Sequence, residues 1–177
     1  MEGAEEQQIL GHWNQHFKEP SEDLSVTRMF EKQVERTPDA VAVSIGNESV
    51  TYRELNDQAN QLAHYLQSLN IGPDSADAGR SALVGMCMDG SLRVIRSILG
   101  ILKAGGGYVP IDPVLPKERQ MAILEETEPK VLLTQRRYKD IFPEYKGKVI
   151  CLQSDRSRLE QQPTSNVQNA AQPDSLA

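Results

Sequence analysis

Several groups of residues in this chain are of a type and spacing that chemistry could use. Gly105-Gly106-Gly107 could cradle a phosphate, because consecutive glycines let backbone amides close in on an anion. Loops of that kind follow a strand and open a helix, whose N-terminus supplies the donors. Here the glycines come after a helical stretch, and neither a GxxxxGKS/T nor a GxGxxG string occurs. They read as a helix stop and a tight turn. His12 and His16 lie four apart and could share a helix face, but zinc takes about four ligands and no cysteine or third histidine is near. They read as a solvated surface pair. His64 falls on the polar side of its helix with no nucleophile beside it, and an exposed side chain is expected. Asp112, in the string PIDP, could hold a cation or a substrate amine; an aspartate between prolines more often caps a turn through its own backbone. Glu125, Glu126 and Glu128 read as a solvated helix end. No Ser/His/Asp or Cys/His arrangement follows from spacing. No catalytic, cofactor-binding or metal-binding role is therefore assigned to any residue.

The elements that would position these groups alternate. Val26 to Arg36 has helical periodicity, with Val26, Met29, Phe30 and Val34 on one side. Val41 to Ile45 and Ser49-Val50 read as two strands of a hairpin around Gly46-Asn47. Thr51 followed three residues on by Glu54 is a capping box, and Leu55, Ala59, Leu62, Ala63, Leu66 and Leu69 then form one apolar stripe, ended by Asn70, Gly72 and Pro73. After a small polar loop, Ala82 to Met88 suits a buried strand of a parallel sheet. Leu92 to Ala104, capped by Asp89 or Ser91, is apolar around most of its girth, with only Arg93, Arg96 and Lys103 marking a polar side. Such a helix packs on more than one neighbour. Pro110, Pro113 and Pro116 impose an extended, irregular segment rather than a central strand. Lys117 to Glu126 is a helix burying Met121 and Leu124. Val131 to Thr134 and Val149 to Leu152 are strands separated by a helical turn near Tyr138 to Ile141. The fold class is α/β with a partly parallel sheet and flanking helices.

Bulk properties exclude several functions. The 177 residues suffice for one domain, and 38% of them are hydrophobic. A net charge of −6 argues against non-specific nucleic-acid or acidic-membrane partners. No apolar run approaches the roughly 20 residues of a membrane span, and the N-terminus has no basic or apolar leader pattern. Cys87 and Cys151 lie far apart in apolar runs and read as buried free thiols, in keeping with a reducing cytoplasm. Residues 1–25 read as a linker with one helical turn around Ile9 to Phe17. Residues 26–155 form the folded part, and 156–177 a polar tail with too little apolar content to fold alone.

Two strings carry a resemblance. VTYRELNDQAN, Val50 to Asn60, and ILKAGGGYVPIDP, Ile101 to Pro113, resemble the first two core motifs of the adenylation domains of nonribosomal peptide synthetases. The second is nearly complete, with Gly107 where the family usually has alanine. MFEKQVERTPDAVAV, Met29 to Val43, looks like the family's entry helix and first strand, and LGHWNQHF, Leu10 to Phe17, like the linker that follows a condensation domain. The resemblance implies the N-terminal part of the large subdomain of an AMP-forming ligase. The family makes an aminoacyl adenylate from an amino acid and ATP with Mg2+, then loads it on the phosphopantetheine arm of a carrier domain. The implied partners are the remainder of the adenylation domain and the condensation and carrier domains. The family's phosphate loop is expected just past PDSLA, Pro173 to Ala177, so no family ligand or catalytic residue maps onto a position here. The expectations are no cofactor and no adenylation by this stretch alone, an incomplete sheet and a marginal, aggregation-prone isolated chain. Two other readings stay open: a non-catalytic docking module of a synthetase assembly, and a separate small α/β ligand-binding domain.

Overall fold

The computed structural model describes residues 25–72 and 83–168. His12, His16, the turn around Ile9 to Phe17, the Asp74 to Ser81 loop and the final nine residues lie outside them. Ser25 caps helix α1 (Val26–Arg36), its side chain accepting from the Arg28 amide. An antiparallel hairpin follows, β1 (Val41–Ile45) and β2 (Glu48–Thr51), turning at Gly46 with φ of 61°. Thr51 ends β2 and caps helix α2 (Tyr52–Gln67). Its hydroxyl accepts from the Glu54 amide at 3.2 Å and its own amide donates to Glu54 Oε2 at 2.9 Å, the reciprocal pair that the sequence predicts.

The main sheet is wholly parallel: β3 (Leu83–Cys87), β4 (Gly107–Pro110), β5 (Val131–Thr134) and β6 (Lys148–Cys151), in the order β4-β3-β5-β6. Between them run α3 (Leu92–Ala104), α4 (Lys117–Thr127) and a 3-10 turn (Arg136–Tyr138); α5 (Arg156–Glu160) follows β6. The 3-10 turn sits slightly upstream of its expected place. Pro110 is admitted because β4 is an edge strand with no further ladder to serve. Alternation along the strands splits the core. Val84, Met86, Val131, Leu133 and Ile150 face α2, α3 and α5; Cys87 and Leu132 face Ile111, α4 and Phe142. A smaller cluster joins the hairpin to α2 and α3 through Val50, Leu55, Ala59 and Leu99. Cys87 and Cys151 are free and buried, as expected.

The side of α1 that carries Val26, Met29, Phe30 and Val34 is unevenly covered: Val26 and Met29 are 63% and 55% exposed, while Thr27 is buried and Phe30 lies against Tyr52, ring centroids 6.0 Å apart. On α4 Leu124 is buried and Met121 packs partly buried against the same cluster, as expected, and Gln120 is buried beside them, its Nε2 reaching the Asp112 carbonyl at 3.1 Å. Ser91 occupies the cap of α3 but makes no side-chain cap bond, and Asp89 pairs with Arg137 instead. Residues 156–168, polar in composition, lie packed on α2: Leu159 and Val167 are buried in the main core. No helix among the described residues is long and apolar enough to cross a membrane.

Candidate functional site

The two motif-bearing strings meet in space. Helix α2 carries the first and the C-terminal half of α3 opens the second, and the helices cross where Gly100 lies against Leu62. A Cβ on Gly100 would stand 2.8 Å from Leu62 Cδ2, so the missing side chain sets the spacing of the pair. Small residues at such a crossing let two helices approach closely. Three residues further along α3 is Lys103. It was expected on the polar side of the helix, yet it is fully buried.

Lys103 is buried because its charge is answered there. Its ammonium donates to Glu31 Oε1 from α1 and, at 3.4 Å, to Asn166 Oδ1 from the segment after β6. The Asn166 oxygen also accepts from Asn56 Nδ2 at 3.1 Å and Asn60 Nδ2 at 2.9 Å, both on α2. Asn60 Nδ2 donates further to the Thr164 carbonyl at 2.6 Å, and the His64 Nε2 atom lies 2.9 Å from the Ser165 carbonyl oxygen. His64 is thus half-buried and engaged rather than free in solvent. Burial lowers the Lys103 pKa, and the hydrogen bond and charge of Glu31 oppose that shift. Asn56 Oδ1, Asn60 Oδ1 and Ser97 Oγ are buried without a protein partner among the described residues.

The remaining candidates resolve into turns. Gly105 is the left-handed C-cap of α3 with φ of 86°, and Gly106 donates to the Ile101 carbonyl, so this glycine run closes a helix. Asp112 Oδ1 accepts from the Val114 amide at 2.9 Å, its own turn, and the Ile111 amide continues pairing to Met86. Among the described residues no group of three or more His, Cys, Asp or Glu could hold a metal ion. The arrangement therefore joins three helices and a peptide segment through a buried ammonium and three side-chain amides, and among the described residues it contains no nucleophile paired with a base. Sequence reasoning missed Lys103, Asn56, Asn60 and Asn166 as one unit; the one signal available was a lysine in a largely apolar helix and two asparagines four apart, each following a residue of the α2 apolar stripe.

By fold this is an α/β protein: a helix-flanked parallel sheet whose buried polar residues join its helices to the chain after β6. The chain belongs to the AMP-binding enzyme family, whose model matches residues 30–177. It is 41% identical over 157 residues to tyrocidine synthase 3 of Brevibacillus parabrevis, covering 88% of this chain and 2% of that protein. It is 36% identical to tyrocidine synthase 1 of the same organism, covering 92% of this chain and 14% of that one. The chain thus spans a small part of the curated relatives it matches. Among solved structures, the nonribosomal peptide synthetase FmoA3 bound to alpha-methyl-L-serine-AMP superposes with a TM-score of 0.76 at 30% identity. That match covers 89% of this chain and 17% of the other.

Proposed function

We propose that this chain is the N-terminal scaffold part of an amino-acid adenylation domain in nonribosomal peptide biosynthesis, working in the cytoplasm. Residues 1–25 act as the linker from a preceding condensation domain, 26–155 as the first part of the large subdomain, and 156–177 as the lead toward the phosphate loop. The observation that carries the reading is the meeting of the two motif strings in one buried junction, within a chain whose family match runs from residue 30 to residue 177.

The complete domain would use ATP and Mg2+ and deliver its product to a carrier phosphopantetheine. The glycine run and the Lys103 junction do not fit those groups. The described residues hold no metal cluster, and the triple glycine closes a helix rather than opening one. Charge developing on a pentavalent α-phosphate needs preorganised donors and cations around it. Lys103, the one buried ammonium among the described residues, is committed to Glu31 and Asn166. This stretch then contributes no reacting group, and its work is to fix the segment 160–167 against α2.

Amino-acid-dependent pyrophosphate exchange tests the reading. The 177-residue chain by itself is expected to be silent, and activity should appear on joining it to a polypeptide that carries the rest of such a domain. Exchange catalysed by this chain alone would overturn the scaffold assignment. Silence of the joined protein with every amino acid tried would overturn the adenylation assignment.

A further inference from the structure

The parallel strands deliver the chain to one edge of the sheet. β3 ends at Cys87, β5 at Thr134 and β6 at Cys151, and α3 starts from the same edge at Leu92. From β3 the chain goes first to one neighbour, β4, and then to the other, β5, so β3 marks a topological switch. A cavity of about 360 Å3 opens on this edge, on the face covered by α2 and α3. Arg93 and Arg96 enter it from the first turns of α3, Gln58 from α2, and Gln153, Arg156 and Glu160 from the chain after β6.

The charge in this cavity is unbalanced. Among the described residues three guanidiniums meet one carboxylate, a surplus of two positive charges, and that carboxylate is already engaged: Arg156 Nε donates to Glu160 Oε1 at 2.6 Å. Arg96 has one side-chain hydrogen bond, to Gln58 Oε1 at 3.4 Å, and neither Arg93 nor Arg96 forms an ion pair among the described residues. Burial lowers the pKa of half-buried Arg96, and the charges of Arg93 and Arg156 lower it further against the opposing pull of Glu160. The positive end of the α3 dipole adds to the same field, and Ser91 places no side-chain oxygen on its free amides.

We propose that this cavity is an oxyanion site for a phosphate or diphosphate group, with Arg93, Arg96 and Arg156 as its charged ligands and Gln58 and Gln153 as neutral donors. A dianion matches the surplus of two charges better than a single carboxylate does. Planar guanidiniums bind phosphate oxygens in pairs, which favours this class over a spherical anion. The site is independent of the adenylation reading, which uses none of these side chains.

Titration calorimetry on the full chain tests it, with inorganic phosphate, pyrophosphate and ATP as separate ligands and chloride holding ionic strength constant. Saturable binding of phosphate or pyrophosphate is expected. Arg96→Met should weaken it by about tenfold or more, since a charge-assisted bond is lost. Arg156→Met, at a side chain that is 76% exposed, should weaken it in the same direction. Arg53→Met, at an exposed arginine on the α2 N-terminus, should leave it unchanged. ATP lost together with pyrophosphate in Arg96→Met would identify nucleotide phosphates as a source of the group; ATP binding that survives while pyrophosphate binding is lost would leave the cavity to free oxyanions. No saturable binding of phosphate or pyrophosphate, or an equal loss in Arg53→Met and Arg96→Met, would overturn the proposal.

Discussion

The two faces of the parallel sheet are closed by different kinds of contact. On the face covered by α2, α3 and residues 156–167, apolar packing is crossed by polar bonds that reach far along the sequence. Asn166 alone joins Asn56, Asn60 and Lys103. On the other face, Leu132, Cys87, Ile111, Leu124 and Phe142 pack around separate side-chain-to-backbone bonds: Thr134 Oγ1 donates to the Cys87 carbonyl at 3.0 Å, Gln120 Nε2 to the Asp112 carbonyl at 3.1 Å and the Tyr145 hydroxyl to the Pro129 carbonyl at 2.6 Å, and among the described residues no side chain there joins three others as Asn166 does. Apolar contacts fix how much is buried but tolerate exchange of shape. Buried amides and an ammonium have few alternative partners, so they fix which helix meets which segment. The first face is therefore specified in register, and the second mainly in volume.

The largest test of this contrast removes one partner of the buried ion pair. Lys103 has no exposed side-chain surface, whereas Glu31 keeps 19%. Glu31→Ala leaves an ammonium buried and unanswered, and should destabilise the chain by about 3 kcal/mol in urea unfolding. Lys103→Met leaves a carboxylate that water can reach and fills the space with an apolar chain, so its effect should be much smaller. On the second face Leu132→Met keeps volume and should cost less than about 1.5 kcal/mol. Equal losses in Glu31→Ala and Lys103→Met would mean that the ammonium is not the buried partner that matters.

Next in size is the pair of glycines that set spacing on each face. Gly100→Ala drives a Cβ to 2.8–3.0 Å from three Leu62 side-chain atoms, inside a helix crossing that has little room to shift. A loss of about 1–3 kcal/mol is expected. Gly85→Ala meets Leu132 Cδ1 at 3.0 Å, the end of a side chain that can turn, and should cost less than Gly100→Ala. Thr51→Ala, which removes a helix cap outside both faces, should cost about 1 kcal/mol. A thermal-melt series of the three variants at one pH checks the order.

Much of this fold was legible in the sequence because it is written in periodicity and caps. The Thr51–Glu54 capping box, the α2 stripe, the Gly46-Asn47 turn and the Gly105 stop each follow from local chemistry, and each is present. What escaped is long-range and polar. Lys103 has the type and helical position of a surface residue, and only Glu31, 72 residues away, makes its burial possible. Asn166 lies in a polar stretch whose composition gives no sign of packing, yet its partners on α2 are more than 100 residues distant. Val26 and Met29 give the converse case: helical spacing shows that they share a side of α1, but not whether the described fold covers that side. The arginine cavity was equally hidden, because Arg93 and Arg96 read as the solvated side of α3 until the chain after β6 is laid beside them.

The smallest effect expected is a pH dependence confined to the second face. Burial pushes the Cys87 thiol up to about 11 from an ordinary 9.0, and the charge of Asp112 pushes the same way. Between those values the unfolded chain has released the proton and the folded one retains it. The unfolded state then binds fewer protons, so stability falls as pH rises above 9 and the loss levels off past 11. At a pH of about 9.5 the loss should be under about 1 kcal/mol. Comparing urea midpoints of the parent and Cys87→Ala at about pH 8 and about pH 9.5 isolates it: the parent should lose more than the variant on going to the higher pH. Parallel losses would place the thiolate within reach of solvent in the folded chain, and the second face would then be looser than its apolar packing implies.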